Sequence, residues 1–216
     1  MPAPDIGNLP GSAGVSSGRS NPMEPAPEDD LVLRARAGDG AAWEDIVRRQ
    51  LPAVFRLAYL ILGDPDEAED AAQETFIRAF RALDRFDPVR PLRPWLLRIA
   101  RNLARNQRRS AGRYFGALQR LVASDPEVAR ASTDRRDPLD PRGQAADTLW
   151  RAIRRLPGID QEVLYLRYFL ELTEAETAAV CGLPRGTVKS RTHRALAKLR
   201  EIVEREFPSL HEVLEK

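Results

Sequence analysis

Residues 172–199, LTEAETAAVCGLPRGTVKSRTHRALAKL, constrain the fold more tightly than any other stretch of the chain. They read as a short helix, a tight turn and a second, strongly basic helix. Thr173 stands where it can cap a first helix over 174–180, ahead of Glu174 and Glu176, whose charge suits a helix N-terminus. Gly182 falls where two crossing helices need an unencumbered backbone, small Ala178 lies one turn earlier, and Val188 points back into the first helix. Pro184 is tolerated at the start of the second helix, where an N–H would be unpaired anyway. Between Thr177 and Arg200 no acidic residue occurs, whereas Arg185, Lys189, Arg191, Arg194, Lys198 and Arg200 are basic. A helix pair with one cationic helix suits duplex DNA, the second helix lying in the major groove.

The length of 216 residues leaves room for one or two small domains. The net charge of +2 is uninformative, but the charges are segregated. Acidic residues crowd 64–74, and basic ones crowd 90–113 and 185–200, which implies separate faces for separate partners. The single cysteine, Cys181, excludes an intrachain disulfide, suits a reducing cytoplasm and reads as a small buried side chain of the helix-turn-helix. No apolar run of membrane-spanning length and no signal pattern is found. With one cysteine and two histidines (His193 and His211), neither a zinc site nor a Cys/His nucleophile pair can be assembled, so no metal, cofactor or catalytic residue is expected. The carboxylates at 64–74 stand near the start of a helix, where they favour its dipole; a divalent-metal nuclease built on Asp66, Asp70 and Glu74 is the enzymatic alternative.

The pattern elsewhere is helical, and nothing alternates with period two, so the expected fold is all-α. Two small helical domains are joined by a flexible linker, the C-terminal one carrying the helix-turn-helix. Residues 1–27, rich in Pro, Gly and Ser, read as a disordered tail, with Met23 a plausible true start. The first domain spans 28–112. Apolar residues recur from Leu31 to Leu62 with a break at Gly38-Asp39-Gly40, and Pro52 suggests a kink or restart. A helix over 66–84 carries the stripe Ala68, Ala72, Phe76, Ala79 and Leu83, and 86–94 reads as a Pro-stiffened loop. The helix over 95–109 is split lengthwise: Trp95, Ile99, Ala100 and Leu103 on one face, Arg98, Arg101, Arg105 and Arg108 on another. Four stacked arginines repel one another unless an anion lies along them, which points to phosphate. Residues 113–143, with three Asp-Pro pairs, form the linker and allow a short helix near 114–122. The second domain spans 144–206, with helices over 145–156 and 160–169, the latter presenting Val163, Leu164, Leu166 and Tyr168 as apolar; 207–216 is a tail.

Three segments in order, DAAQETFIRAFRAL (70–83), PWLLRIARNLARNQRR (94–109) and the helix-turn-helix, resemble extracytoplasmic-function sigma factors, the two-domain members of the sigma-70 family. The resemblance implies a chain that binds core RNA polymerase, recognises −35 and −10 promoter elements and directs melting and initiation, under restraint by an anti-sigma factor in some members. It implies a polymerase-docking helix through Asp70, Gln73, Glu74 and Arg78. A −10 reader would be formed by Phe86, Trp95, Arg98, Arg101, Asn102 and Arg105, and a −35 reader by Arg185, Thr187, Lys189, Ser190, Arg191 and Arg194. The residue chemistry agrees: amides and an aromatic can hold unpaired bases, and a cationic helix can address a duplex, with Arg191 able to meet a guanine bidentately. Thr177 and Thr192 stand where such proteins carry Leu or Ile, and Ala71-Ala72 where they carry larger aliphatics. The alternative within transcription is an operator-binding regulator with the same helix-turn-helix.

Overall fold

Local chemistry sets most of the element boundaries. The computed structural model describes residues 27–121 and 141–206, with side chains described for 27–111 and 148–206. The expectations for the N-terminal tail, Met23, most of the linker and the terminal tail with His211 lie outside the described residues. Within them the chain is all-α, as the sequence implies.

Helix α1 (Glu28–Arg36) opens on three acidic residues and buries Leu31, Val32 and Ala35. Asp39 then caps α2 (Gly40–Leu62), its carboxylate accepting from Ala42 N–H. The kink expected at Pro52 does not interrupt α2. Pro52 lies on the exposed side, and the stripe of Ile46, Val54, Leu57, Ala58 and Ile61 stays in the core through it, which outweighs a loss of about 3 kcal/mol at an internal proline. The helix ends at Gly63, whose φ of 83° is left-handed and whose N–H returns to Tyr59 C=O. Asp64 caps α3 (Pro65–Ala82) with proline at its first position, and the expected stripe of Ala68, Ala72, Phe76, Ala79 and Leu83 is buried.

A 3-10 turn (Leu83–Arg85) leads to α4 (Leu92–Leu121), longer at both ends than the sequence suggests. Pro94 sits in its first turn, where a missing N–H costs nothing, and 113–121 continue the helix into the expected linker. Helices α1 to α4 form the N-terminal module.

In the C-terminal module, α5 (Pro141–Arg154) is followed by α6 (Gly158–Leu164), which widens into a single π-turn (Tyr165–Phe169). The wide turn corrects the expected apolar face. One extra residue shifts the helical phase, so Tyr165 is buried and Tyr168 is 55% exposed. The chain leaves the turn through Glu171, at a positive φ of 57°. Helix α7 (Glu174–Cys181) begins with a reciprocal capping box: Glu176 N–H donates to Thr173 Oγ1, and Thr173 N–H donates to the Glu176 carboxylate. Gly182 closes it in the left-handed region at φ 66°, and α8 (Arg185–Glu206) follows.

The two modules pack on each other, with α7 lying against α4 and the π-turn against α2. Ala100 and Ala104 of α4 and Ala178, Val180 and Cys181 of α7 belong to one continuous apolar cluster. This shared core is not legible in the sequence, and it governs which charged residues remain free.

Candidate nucleic-acid interface

Helix α8 is phased by its buried side. Val188 and Ala195 are fully buried, and Arg191, Leu199 and Ile202 continue the same stripe at steps of three and four. Lys189, Ser190, His193 and Arg194 are exposed on the remaining surface. Ser190 donates locally to Thr187 C=O, Arg194 Nε donates to Ser190 C=O at 3.4 Å, and half-buried Thr187 flanks them. Arg185, at the first position, stands 3.6 Å from Glu174 but is 74% exposed at its side chain. These groups can meet an anionic duplex without rearrangement.

Arg191 does not join them. Its Nη1 donates to Asp160 Oδ1 at 2.7 Å, with the arginine 28% and the aspartate 6% exposed. In this arrangement the guanidinium expected to address a base is engaged by a carboxylate of α6. Three residues after Val188 and four before Ala195, it is carried inward and ties α8 to α6. Helical phase held that signal, and counting charges passed over it.

On α4 the arginine stripe is divided. Arg98 is exposed, as are Asn102 and Asn106, one turn apart. Arg101 is buried: Nε donates to Glu162 Oε2 at 2.7 Å and Nη1 to Cys181 C=O at 3.3 Å. Arg105 Nε stands 3.5 Å from Glu162 Oε1, an ion-pair distance without a hydrogen bond, so that buried oxygen has no hydrogen-bond partner among the described residues. Phe86 is also buried, its ring 4.6 Å from that of half-buried Trp95. The ring expected to take part in the −10 reader is thus enclosed here, with Trp95 as its aromatic neighbour. Burial pushes the Cys181 thiol up to about 11.

Helix α3 exposes Asp70, Gln73 and Arg78, with Glu74 accepting from Arg78 at 2.6 Å. The sequence reading missed what lies beside them. Ile77 and Phe80 are 45% and 56% exposed and, with Trp43, Phe76 and Arg81, line an apolar cleft. Trp43 lies 5.2 Å from Phe80. Two large apolar residues off the stripe, at positions 77 and 80, were the available signal.

The model of sigma-70 region 2 matches residues 46–114, and that of sigma-70 region 4 matches residues 146–199. The extracytoplasmic-function RNA polymerase sigma factor SigW of Bacillus subtilis (strain 168) is 34% identical over 176 residues, covering 79% of this chain and 93% of SigW. The chain belongs to the sigma-70 family. It is an RNA polymerase sigma factor of the extracytoplasmic-function type, acting in promoter recognition and transcription initiation. Sigma factors are initiation factors and not enzymes.

Solved sigma factors have a similar fold over most of this chain. CnrH in complex with the cytosolic domain of CnrY is 27% identical, with a TM-score of 0.63 over 83% of this chain and 98% of that one. The sigma factor RpoE in complex with the anti-sigma factor NepR, from Bartonella quintana, is 27% identical, with a TM-score of 0.56 over 76% and 97%. In this sigma factor no cluster of three or more potential metal ligands occurs among the described residues. No helix among them is long and apolar enough to cross a membrane.

Proposed function

We propose that the C-terminal module of this sigma factor reads the −35 duplex through Arg185, Thr187, Lys189, Ser190 and Arg194. The N-terminal module holds the melted −10 strand through Trp95, Arg98 and Asn102, with Arg101 and Arg105 added when the modules part. Helix α3 docks on core RNA polymerase through Asp70, Gln73, Glu74 and Arg78, with Ile77 and Phe80 as apolar anchors at their side. The domain limits of 28–112 and 144–206 and the linker between them define these units. The chain works in the cytoplasm without cofactor or catalysis, and an anti-sigma factor is the partner class suggested by the RpoE complex.

The observation that carries the reading is α8, whose buried Val188–Ala195 stripe leaves opposite it a surface that is cationic and free of acidic residues over 185–200. Phosphate contacts from that surface set register, and a few side chains address base edges. The exposed amide of Asn102, two turns along α4 from half-buried Trp95, suits unstacked bases. Run-off transcription with core polymerase, this chain and its own upstream DNA tests the proposal. The W95A/N102A variant is expected to co-elute with core enzyme yet leave thymines near −10 unreactive to permanganate. Undiminished reactivity in that variant defeats the −10 assignment.

A further inference from the structure

The groups that lock the modules together are mostly arginines of the N-terminal module placed on electronegative ends of the C-terminal one. Arg56 donates to Phe169 C=O at 3.2 Å and Arg93 to Leu170 C=O at 3.1 Å, both where the π-turn ends. Arg101 donates to the last carbonyl of α7, at Cys181, and to Glu162. Cations at helix C-termini answer both the unpaired carbonyls and the helix dipole. Glu162, only 1% exposed, stands out because it offers one carboxylate to two arginines of the stripe, Arg101 and Arg105. A carboxylate and a phosphate present the same kind of paired anionic oxygens to a guanidinium.

We propose that Glu162 is an internal stand-in for promoter phosphate. With the modules packed, it holds Arg101 and Arg105 and closes part of the −10 face of α4, so that Arg98 and Asn102 stay open while the full face engages single-stranded DNA only after Glu162 is displaced. The inference rests on the reading of α4 as the −10 reader and adds the regulation of that site.

The closed state is built to be left. Glu162 Oε1 and Arg93 Nε are buried without hydrogen-bond partners among the described residues, so the lock is incompletely satisfied. Parting the modules returns every one of these charges to water or to phosphate, whereas removing one partner within the closed state strands the other. The two arrangements thus compete for the same arginines, and an anion that reaches the stripe favours the open one.

The test uses the full chain with energy-transfer dyes on L33C in α1 and L196C in α8, both exposed positions. Binding of a short fluorescent single-stranded oligonucleotide of mixed sequence is followed alongside. Two variants loosen the lock independently: E162Q, and R56A/R93A, which leaves Arg101 and Glu162 intact. Both are expected to lower energy transfer and to tighten oligonucleotide binding about tenfold, the gain from freeing a competent state populated at roughly one part in ten. Adding R101A/R105A to E162Q should abolish the gain. Far-UV circular dichroism checks that each variant is folded, and if E162Q fails to fold, R56A/R93A decides. Unchanged energy transfer and affinity, opening without a gain in affinity, or a gain that survives R101A/R105A overturns the proposal. The parent reading is judged separately: R98A/N102A in the complex with core polymerase must reduce run-off transcription, and full activity there sinks it whatever the dyes report.

Discussion

Replacing Arg191 with alanine separates a base-reading arginine from a structural one. Arg191 Nη1 lies 2.7 Å from Asp160 Oδ1, and Asp160 is almost fully enclosed. Hydrogen bonds to charged groups contribute about 1.5–3 kcal/mol, and breaking a fully buried pair costs about 3–5 kcal/mol. Arg191 retains a 28% exposed side chain, so water can reach part of the vacated site and the lower figure applies. R191A is therefore expected to lose about 2 kcal/mol, a fall in melting temperature of roughly 4–8 °C for a chain of this size. D160N keeps an acceptor and should lose less. A double-mutant cycle with D160A should give a coupling of about 1–2 kcal/mol, since the two side chains touch. Urea and thermal melts of the full chain supply these values. Duplex binding is measured over a salt series in parallel. K189A and R194A are each expected to reduce the salt slope by about one unit, while R191A leaves it unchanged. An R191A protein with a wild-type melt and a relaxed preference at one base pair would refute the reasoning and return Arg191 to the groove.

Two further outcomes follow from α7. Thr177 is fully buried and its hydroxyl has no hydrogen-bond partner among the described residues, so isosteric T177V should raise stability by about 1–2 kcal/mol in a thermal melt, and T177S should lower it by about 1 kcal/mol through the lost methyl; a T177V protein less stable than wild type would mean that the hydroxyl is satisfied. The Thr173 backbone N–H, then its hydroxyl, hold the Glu176 carboxyl below its ordinary value of 4.5, so its contribution is full above that value and is lost as pH falls through the lowered one. The melting gap between wild type and E176Q should therefore be constant at neutral pH and close as the pH falls below 4.5 and through the lowered value, and an unchanged gap in acid would remove the capping box from acid stability.

Short-range chemistry was legible in the sequence because its signals lie within one turn. Thr173 and Glu176 cap α7, Gly182 turns it, and the alanine and phenylalanine stripe of α3 is buried as its spacing implies. Spacing failed where local geometry changed, at the π-turn that buries Tyr165 and exposes Tyr168. It also failed where partners are distant along the chain. Glu162 lies 61 residues from Arg101, and nothing in the intervening composition announces that the two will meet. The inward register of Arg191, three residues after Val188, was legible, whereas its partner Asp160, 31 residues away, was not.

An arginine in a sequence announces an anion without saying whether it is a phosphate or a carboxylate, and burial resolves that ambiguity into three situations. Arg191 is held by Asp160 of its own module, so parting the modules leaves it paired and it contributes to folding in either state. Arg98, Lys189 and Arg194 are exposed and available in both states. Arg101 and Arg105 belong to neither set, because their carboxylate comes from the other module and leaves with it. Only this last pair changes its electrostatic partner when the chain opens. A basic stripe that sequence reading treats as one surface is therefore two: a constant part that attracts DNA at any time, and a conditional part whose availability reports the separation of the modules. The salt dependence of single-strand binding should consequently steepen when the modules part, by about 0.7 for each phosphate gained, whereas that of duplex binding through α8 has no such reason to change.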